Sequence, residues 1–360
     1  MRILALTDMM VEQDLIDRGF KKGFPKAEMR YLRWPPATWD IFSKENMYIE
    51  KNGPEAGIPV PTILDVVRDF DPEVIITHFA PVTQEVIKKA KSLEIIGCLR
   101  GGVDNVNVDA ATKNSILVFN NSGRTANAVA EYTIAHMLSV SRNIAEGHHA
   151  ILNGEWWRPE ALPSEIYGST IGLIGFGNIS QKLTERLQGF NVKILAYDPY
   201  VTEDIFASYG AKRVELKALL SQADYISLHC RLNTETKNMI GEAEFSLMKP
   251  TAYLINTARA GLVDKVALLN ALRTHQIKGV ALDVFWQEPP NKDDPLLKLN
   301  NISLSPHMAG ASEQTTWYTI WLFVEALQDF LKTHQSRSIV NYKPTDQLKT
   351  AEKMKLVEAK

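Results

Sequence analysis

Cysteine is scarce, with two residues in a chain of 360. Both Cys98 and Cys230 sit inside apolar, strand-like stretches, so a disulfide framework is excluded and small buried side chains are expected. Long apolar runs are missing as well. The opening MRILALTD carries too short an apolar run for a signal-peptide core, and no later run approaches membrane-spanning length. A cytoplasmic protein with no membrane partner is the expectation. Charge of one sign is not in excess: Lys+Arg 40 against Asp+Glu 42 leaves a net charge of -2, so no global basic field recruits nucleic acid or anionic lipid. No metal site is visible either. His148 and His149 are adjacent, and neighbours along a helix do not face one ligand together.

What is present is the balance of an ordinary globular protein, 45% hydrophobic and 23% charged. The length exceeds what one core usually sustains, so two domains are expected. Short β-rich runs alternate with helical stretches. RILALTD, PEVIITH, LEIIGCL and SILVFNN form a first series, and STIGLIGFG, VKILAYD, ADYISLHC, AYLINTA, KGVALDVF and NISLSP a second. Apolar residues on both faces of such runs are what a parallel sheet covered by helices requires, which predicts an α/β fold with two sheets. The spacing predicts one long helix from Glu131 to Gly154, an exposed arm over EWWRPEALPSEIYG, and a last helix from Glu313 to about Thr333 before a polar, frayed tail. Between Lys26 and Pro61 the tryptophans and prolines interrupt every period, and a loop-rich excursion is expected there.

Gly175-Phe-Gly-Asn-Ile-Ser180 follows the strand-like TIGLI and opens a helical stretch, with the G-x-G-x-x-G spacing except for serine in the last place. Alone the hexapeptide is weak. Its context strengthens it, because a second strand follows and ends at Asp198, near the spacing of a ribose-binding acid. Gly175 permits a tight turn, Gly177 lets the backbone approach a pyrophosphate, and free amides at the helix start favour its charge. Asp198 would accept from both ribose hydroxyls and repel a 2′-phosphate, so NAD is expected rather than NADP.

Three polar residues close successive strands of the second series: Arg259, Glu288 and His307. Ligands of open α/β sheets bind at those strand ends. Arginine can clamp a carboxylate, histidine can exchange a proton near neutrality, and a neighbouring carboxylate orients the ring. Such a set suits reduction of a 2-keto acid, although singly Arg259 is equally a surface ion pair and His307 equally a helix cap.

With LRGGVDNVNVDAATKNSILVFNNSGRTANAVAEYTIAHML, GSTIGLIGFGNIS, LINTARAGLVDKVALLNAL, ALDVFWQEPP and SPHMAGAS in place, the chain resembles the D-isomer-specific 2-hydroxyacid dehydrogenases from about Asp71 to Gly310. The resemblance implies two Rossmann-like, doubly wound parallel-sheet domains. The substrate domain would be discontinuous, from 1 to 122 and 310 to 345, with an NAD-binding domain at 123–309 and a polar tail at 346–360. It implies a catalytic set of Arg259, Glu288 and His307 acting on a small 2-keto or 2-hydroxy acid. Amides at Gly101, Gly102 and Val103 would hold the substrate carboxylate. Asn178 and Ile179 would supply pyrophosphate-binding amides, Asp283 would receive the nicotinamide carboxamide, and Thr257 and Cys230 would line the dinucleotide. A homodimer built on the cofactor domains is the usual assembly. His78 stands where phosphoglycerate dehydrogenases tend to carry arginine, which points to an unphosphorylated substrate with His78 and Phe79 on the pocket wall. The chain also ends before the regulatory domain of many such enzymes, so serine feedback is not expected. A non-catalytic NAD(H)-binding sensor or corepressor-like scaffold on the same fold is the alternative, separated by a test for turnover.

Overall fold

The computed structural model describes every residue except 160–161, 344–345, 348–349, 351–353 and 355–360. The chain divides into two units, one of residues 1–124 with 312–360 and one of residues 125–311.

The first unit is built on five parallel strands, β1 (Arg2–Thr7), β2 (Glu28–Arg33), β3 (Val74–Thr77), β4 (Ile95–Cys98) and β5 (Leu117–Asn120), in the order β2-β1-β3-β4-β5. The three strands β3, β4 and β5 are buried at every residue, and β1 at all but its first. Each alternates its side chains between two apolar layers, as a sheet covered on both faces must. One layer contains Leu4, Ile75, Ile96 and Val118. The other contains Ile3, Ile76, Ile95 and Phe119 packed with Ile320, Phe323, Leu327 and Phe330 of the helix Glu313–Thr333. That helix starts as expected, with the Ser312 hydroxyl accepting from the Thr315 amide. Gly97 is required by its approach: an added Cβ would lie 2.3 Å from the Phe323 ring. Burying a ring such as Phe323 contributes about 2–3 kcal/mol, so the C-terminal helix is an integral layer of the unit that contains the N-terminus.

Three expectations change. The segment from Lys26 to Pro61 is not loop-rich: it contains β2 and the helix Trp39–Asn52, which starts at a Thr38 cap. The edge strand β2 is half exposed, so it lacks the continuous apolar run that betrays a central strand. Trp34 is fully buried there, its indole N–H donating to the Ile58 carbonyl at 2.8 Å. The expected long helix is two helices, Ala126–Arg142 and Ile144–Leu152, divided by Asn143 at φ 55, a conformation asparagine tolerates well. In the expected polar tail, Gln347 and Met354 are buried. The Gln347 amide bonds Ser336 and Tyr342, and most of the remaining tail lies outside the described residues.

The second unit is a seven-stranded parallel sheet of β6 (Thr170–Ile174), β7 (Lys193–Tyr197), β8 (Lys212–Arg213), β9 (Tyr225–Leu228), β10 (Tyr253–Asn256), β11 (Gly279–Leu282) and β12 (Ile302–Leu304). Their order, β12-β11-β10-β9-β6-β7-β8, reverses at β6. Chain connections leave β6 and β9 toward opposite sides, which opens a crevice at their carboxyl ends.

Candidate active site

Gly175 follows β6 at φ +89, and a Cβ there would lie 2.7 Å from the Cys230 amide nitrogen after β9. Only glycine combines that conformation with that approach. Its amide donates to the Tyr197 carbonyl and its carbonyl accepts from Ser180, so the serine in the third glycine's place closes the turn with a hydrogen bond of 2.5 Å. Gly177 is open, with no atom within 4 Å of an added Cβ, and it begins the helix Asn178–Leu187 without a side-chain cap. A helix start that carries Asn178 and Ile179 and leaves such space fits a pyrophosphate. Asp198 sits one residue past β7, where its carboxylate accepts from the Phe176 and Tyr200 amides at 2.8 and 2.9 Å. Cys230 is half-buried beside Met239, with its thiol pushed up to about 11 by burial. Thr257 is buried, its hydroxyl 3.1 Å from that of Thr133.

The polar set lies at the carboxyl ends of β10, β11 and β12. His307 Nδ1 and Glu288 Oε2 are 2.7 Å apart, while Glu288 Oε1 accepts from the Phe285 amide at 2.9 Å. A carboxylate has no proton to give, so Nδ1 carries the hydrogen and Nε2 is left for other chemistry. Arg259 is exposed, its Nη1 donating to the Ala258 carbonyl at 2.8 Å, and no hydrogen bond joins it to Glu288 or His307. The guanidinium therefore has donors to spare.

His307 adopts φ 55, a left-handed conformation unfavourable to a side chain of its kind. Asp283 holds it there. Fully buried, Asp283 accepts from the Met308 and Ala309 amides at 2.8 Å each and from the Ser305 hydroxyl at 2.5 Å. Ser305 in turn lies 2.8 Å from Nε2 of His136, a buried ring whose pKa is pulled down by burial. Since Ser305 gives its proton to Asp283, His136 donates to Ser305. Neither Ser305 nor His136 stands out in the sequence, where the only signal is that Ser305 ends a strand beside the histidine motif.

In the first unit, Gly101 and Gly102 are exposed and Val103 half-exposed after β4, with nothing within 4 Å of an added Cβ at Gly101. His78 is placed differently from a residue lining an open pocket wall. Its ring is buried, with Nδ1 3.1 Å from Asp8 and Nε2 without a partner. Burial pulls its pKa down against the opposing charge of Asp8, and Asp8 is held below the usual carboxylate range by the His78 and amide contacts that outweigh its own burial. The ring is thus neutral and donates through Nδ1.

A parallel sheet reversing at β6, a glycine turn at the crevice and a polar set on neighbouring strands define a dinucleotide-binding α/β protein. The chain belongs to the D-2-hydroxyacid dehydrogenase family. Residues 134–309 match the family described as D-isomer specific 2-hydroxyacid dehydrogenase, NAD binding domain, and NAD is the cofactor of the second unit. The chain is 38% identical to a glyoxylate reductase of Korarchaeum cryptofilum over 284 residues, covering 78% of this chain and 85% of that enzyme. It is 36% identical to a D-3-phosphoglycerate dehydrogenase of Methanocaldococcus jannaschii over 286 residues, or 79% of this chain and 54% of the relative, so it spans about half the length of such relatives. The NAD-complexed D-isomer specific 2-hydroxyacid dehydrogenase of Lactobacillus delbrueckii ssp. bulgaricus superposes with a TM-score of 0.75 at 25% identity, covering 94% of this chain and all of that one.

Proposed function

We propose that the protein interconverts a small 2-keto acid and its D-2-hydroxy acid, with His307 as the proton donor and acceptor. The observation that carries this reading is the 2.7 Å contact between His307 and Glu288. It fixes the ring's tautomer and orientation, which leaves Nε2 to serve the substrate oxygen. Arg259 supplies a forked donor for a carboxylate; within the first unit, the exposed turn at Gly101, Gly102 and Val103 offers backbone amides suited to the same group. Asp198 would accept from the ribose hydroxyls through the lone pairs that its bonds to the Phe176 and Tyr200 amides leave over, and Asn178 and Ile179 would meet the pyrophosphate at the helix start. Thr257 and Cys230 belong to the same dinucleotide-binding surface. NAD held there would supply the hydride chemistry at the C2 carbon of the acid. Reduction ends with a proton passing from His307 Nε2 to the alkoxide oxygen, while Glu288 stabilises the imidazolium that gives it.

Replacing His307 with alanine is expected to lower turnover of glyoxylate or hydroxypyruvate by about 10²–10⁴-fold, the usual contribution of a positioned acid. NADH affinity should stay within a few-fold. Turnover close to wild type would remove His307 from the mechanism, and NADH binding with no turnover of any keto acid would favour a sensor.

A cytoplasmic homodimer is part of the same proposal. It is supported by exposed Ile151, Leu152 and Trp156 in the second unit, a run of large apolar side chains of the kind that a partner surface covers. Sedimentation of the intact protein tests it, and a monomer at micromolar concentration would refute it.

A further inference from the structure

The helix Ala126–Arg142 buries the stripe expected of a helix laid on a sheet, with Val129, Met137 and Val140 in its apolar part. Polar side chains interrupt that stripe three residues apart. Thr133, His136 and Ser139 each meet a side chain in or just past a strand of the second unit: the Thr133 hydroxyl lies 3.1 Å from that of Thr257 beyond β10, His136 Nε2 lies 2.8 Å from the Ser305 hydroxyl beyond β12, and Ser139 accepts from Ser303 of β12 at 2.8 Å. Apolar contacts are non-directional, whereas hydrogen bonds between named side chains hold a helix in one register.

Of the three, the bond at His136 reaches the segment that carries His307. Ser305 is tied to that segment twice. Its carbonyl accepts from the His307 amide at 3.1 Å, and its hydroxyl gives its proton to Asp283 Oδ1, the oxygen that also accepts from the Met308 amide. A neutral imidazole has one N–H and a serine hydroxyl one proton. With the Ser305 proton on Asp283, the His136 proton lies on Nε2 and meets the serine oxygen from the other side. Burial pulls the His136 pKa down against the opposing charge of Asp283, so the ring is neutral at pH 7. Leucine would fill this place in the stripe without the cost of burying an imidazole, but it has no donor for Ser305.

We propose that His136 is a positioning residue for the reaction, holding the Ser305 hydroxyl on Asp283 and through it the left-handed backbone of His307. It acts through Ser305 and not on the reacting atoms. The inference rests on the reading of His307 as the proton donor, and every bond that carries it lies within the second unit.

The experiment measures turnover of glyoxylate or hydroxypyruvate with NADH by the intact protein in His136→Leu, His136→Gln, Ser305→Ala and the double variant His136→Leu with Ser305→Ala. His136→Leu is expected to lower kcat about 3–10-fold, the worth of one neutral hydrogen bond, with KM and the NADH dissociation constant within about twofold. His136→Gln, whose amide N–H stands near the place of Nε2, should recover most of that loss. In the Ser305→Ala background, His136→Leu should cost no further turnover, which separates positioning from packing. Hydrogen exchange gives a reading without turnover: the Met308 and Ala309 amides should exchange about 3–10-fold faster in His136→Leu than in wild type, and near the wild-type rate in His136→Gln. If His136→Leu does not fold, Ser305→Ala removes the same bond from the other side and carries both expectations. Wild-type kcat in His136→Leu, a loss in His136→Gln as large as in His136→Leu, or additive losses in the double variant overturns the proposal and leaves the dehydrogenase standing. Absence of turnover of every keto acid by the wild type sinks the dehydrogenase reading instead, and the exchange rates then decide whether His136 holds the His307 segment.

Discussion

Asp283 is the residue on which the geometry of His307 depends, and its substitution separates two roles. As the acceptor of three hydrogen bonds in a fully buried position, it uses three of about four lone-pair sites. In Asp283→Asn one carboxylate oxygen becomes an NH2 group, so at least one donor among the Met308 amide, the Ala309 amide and the Ser305 hydroxyl loses its acceptor. An unsatisfied buried donor costs ~1–3 kcal/mol, and loss of the charge weakens the bonds that survive. The expected loss of stability is therefore about 2–4 kcal/mol by urea unfolding. The left-handed backbone of His307 is unfavourable by about 1–2 kcal/mol, so a weakened clamp lets it relax and the contact with Glu288 is lost for part of the time. Turnover should drop about 10–100-fold, measured as NADH oxidation with glyoxylate or hydroxypyruvate, with NADH dissociation changing less than threefold. The opposite split refutes this reasoning: a tenfold weaker hold on NADH with turnover preserved would mean that Asp283 serves chiefly the nicotinamide carboxamide. Unchanged stability would mean that the clamp is not holding the loop.

Three further outcomes are expected. Asp198→Ala should weaken NADH and narrow its preference over NADPH, measured by fluorescence titration; a wild type that prefers NADPH contradicts the assignment. Gly175→Ala should abolish NADH binding or folding of the second unit, because its Cβ meets backbone rather than a flexible side chain; near-normal NADH affinity would show that the turn can open. Acid should destabilise the protein earlier than its carboxylates alone would require. His78, His136 and His229 all have folded pKa values below the unfolded value, His229 near 3, so below pH ~6.5 the unfolded chain binds protons that the folded one refuses. Stability then falls with decreasing pH, for His229 alone by up to ~1.4 kcal/mol per unit between the unfolded value and about 3. Urea unfolding between pH 6.5 and 5 should show a smaller slope in His229→Asn, and an identical slope would exclude that residue.

Much of the architecture was legible because its signals are local. A strand buried on both faces must be apolar throughout, which located β3, β4, β6 and β9 before any contact was known. The glycine turn was legible for the same reason, since a positive φ beside a close backbone approach leaves one residue type. The edge strand β2 and the break at Asn143 were hidden, because a half-exposed strand carries little apolar pattern and a one-residue kink leaves the helical period nearly intact.

The sequence by itself determined the two sheets, the dinucleotide turn and the residue types of the catalytic set. Only the tertiary structure decided the partnerships: His307 against Glu288, Asp283 against the backbone that carries His307, His136 against Ser305, and Arg124 without a counterion among the described residues. The bonded partners come from different strand ends or from a helix, 19 to 169 residues apart in the chain. Whether a buried charge is satisfied is a property of what folding places beside it, and no local pattern encodes that.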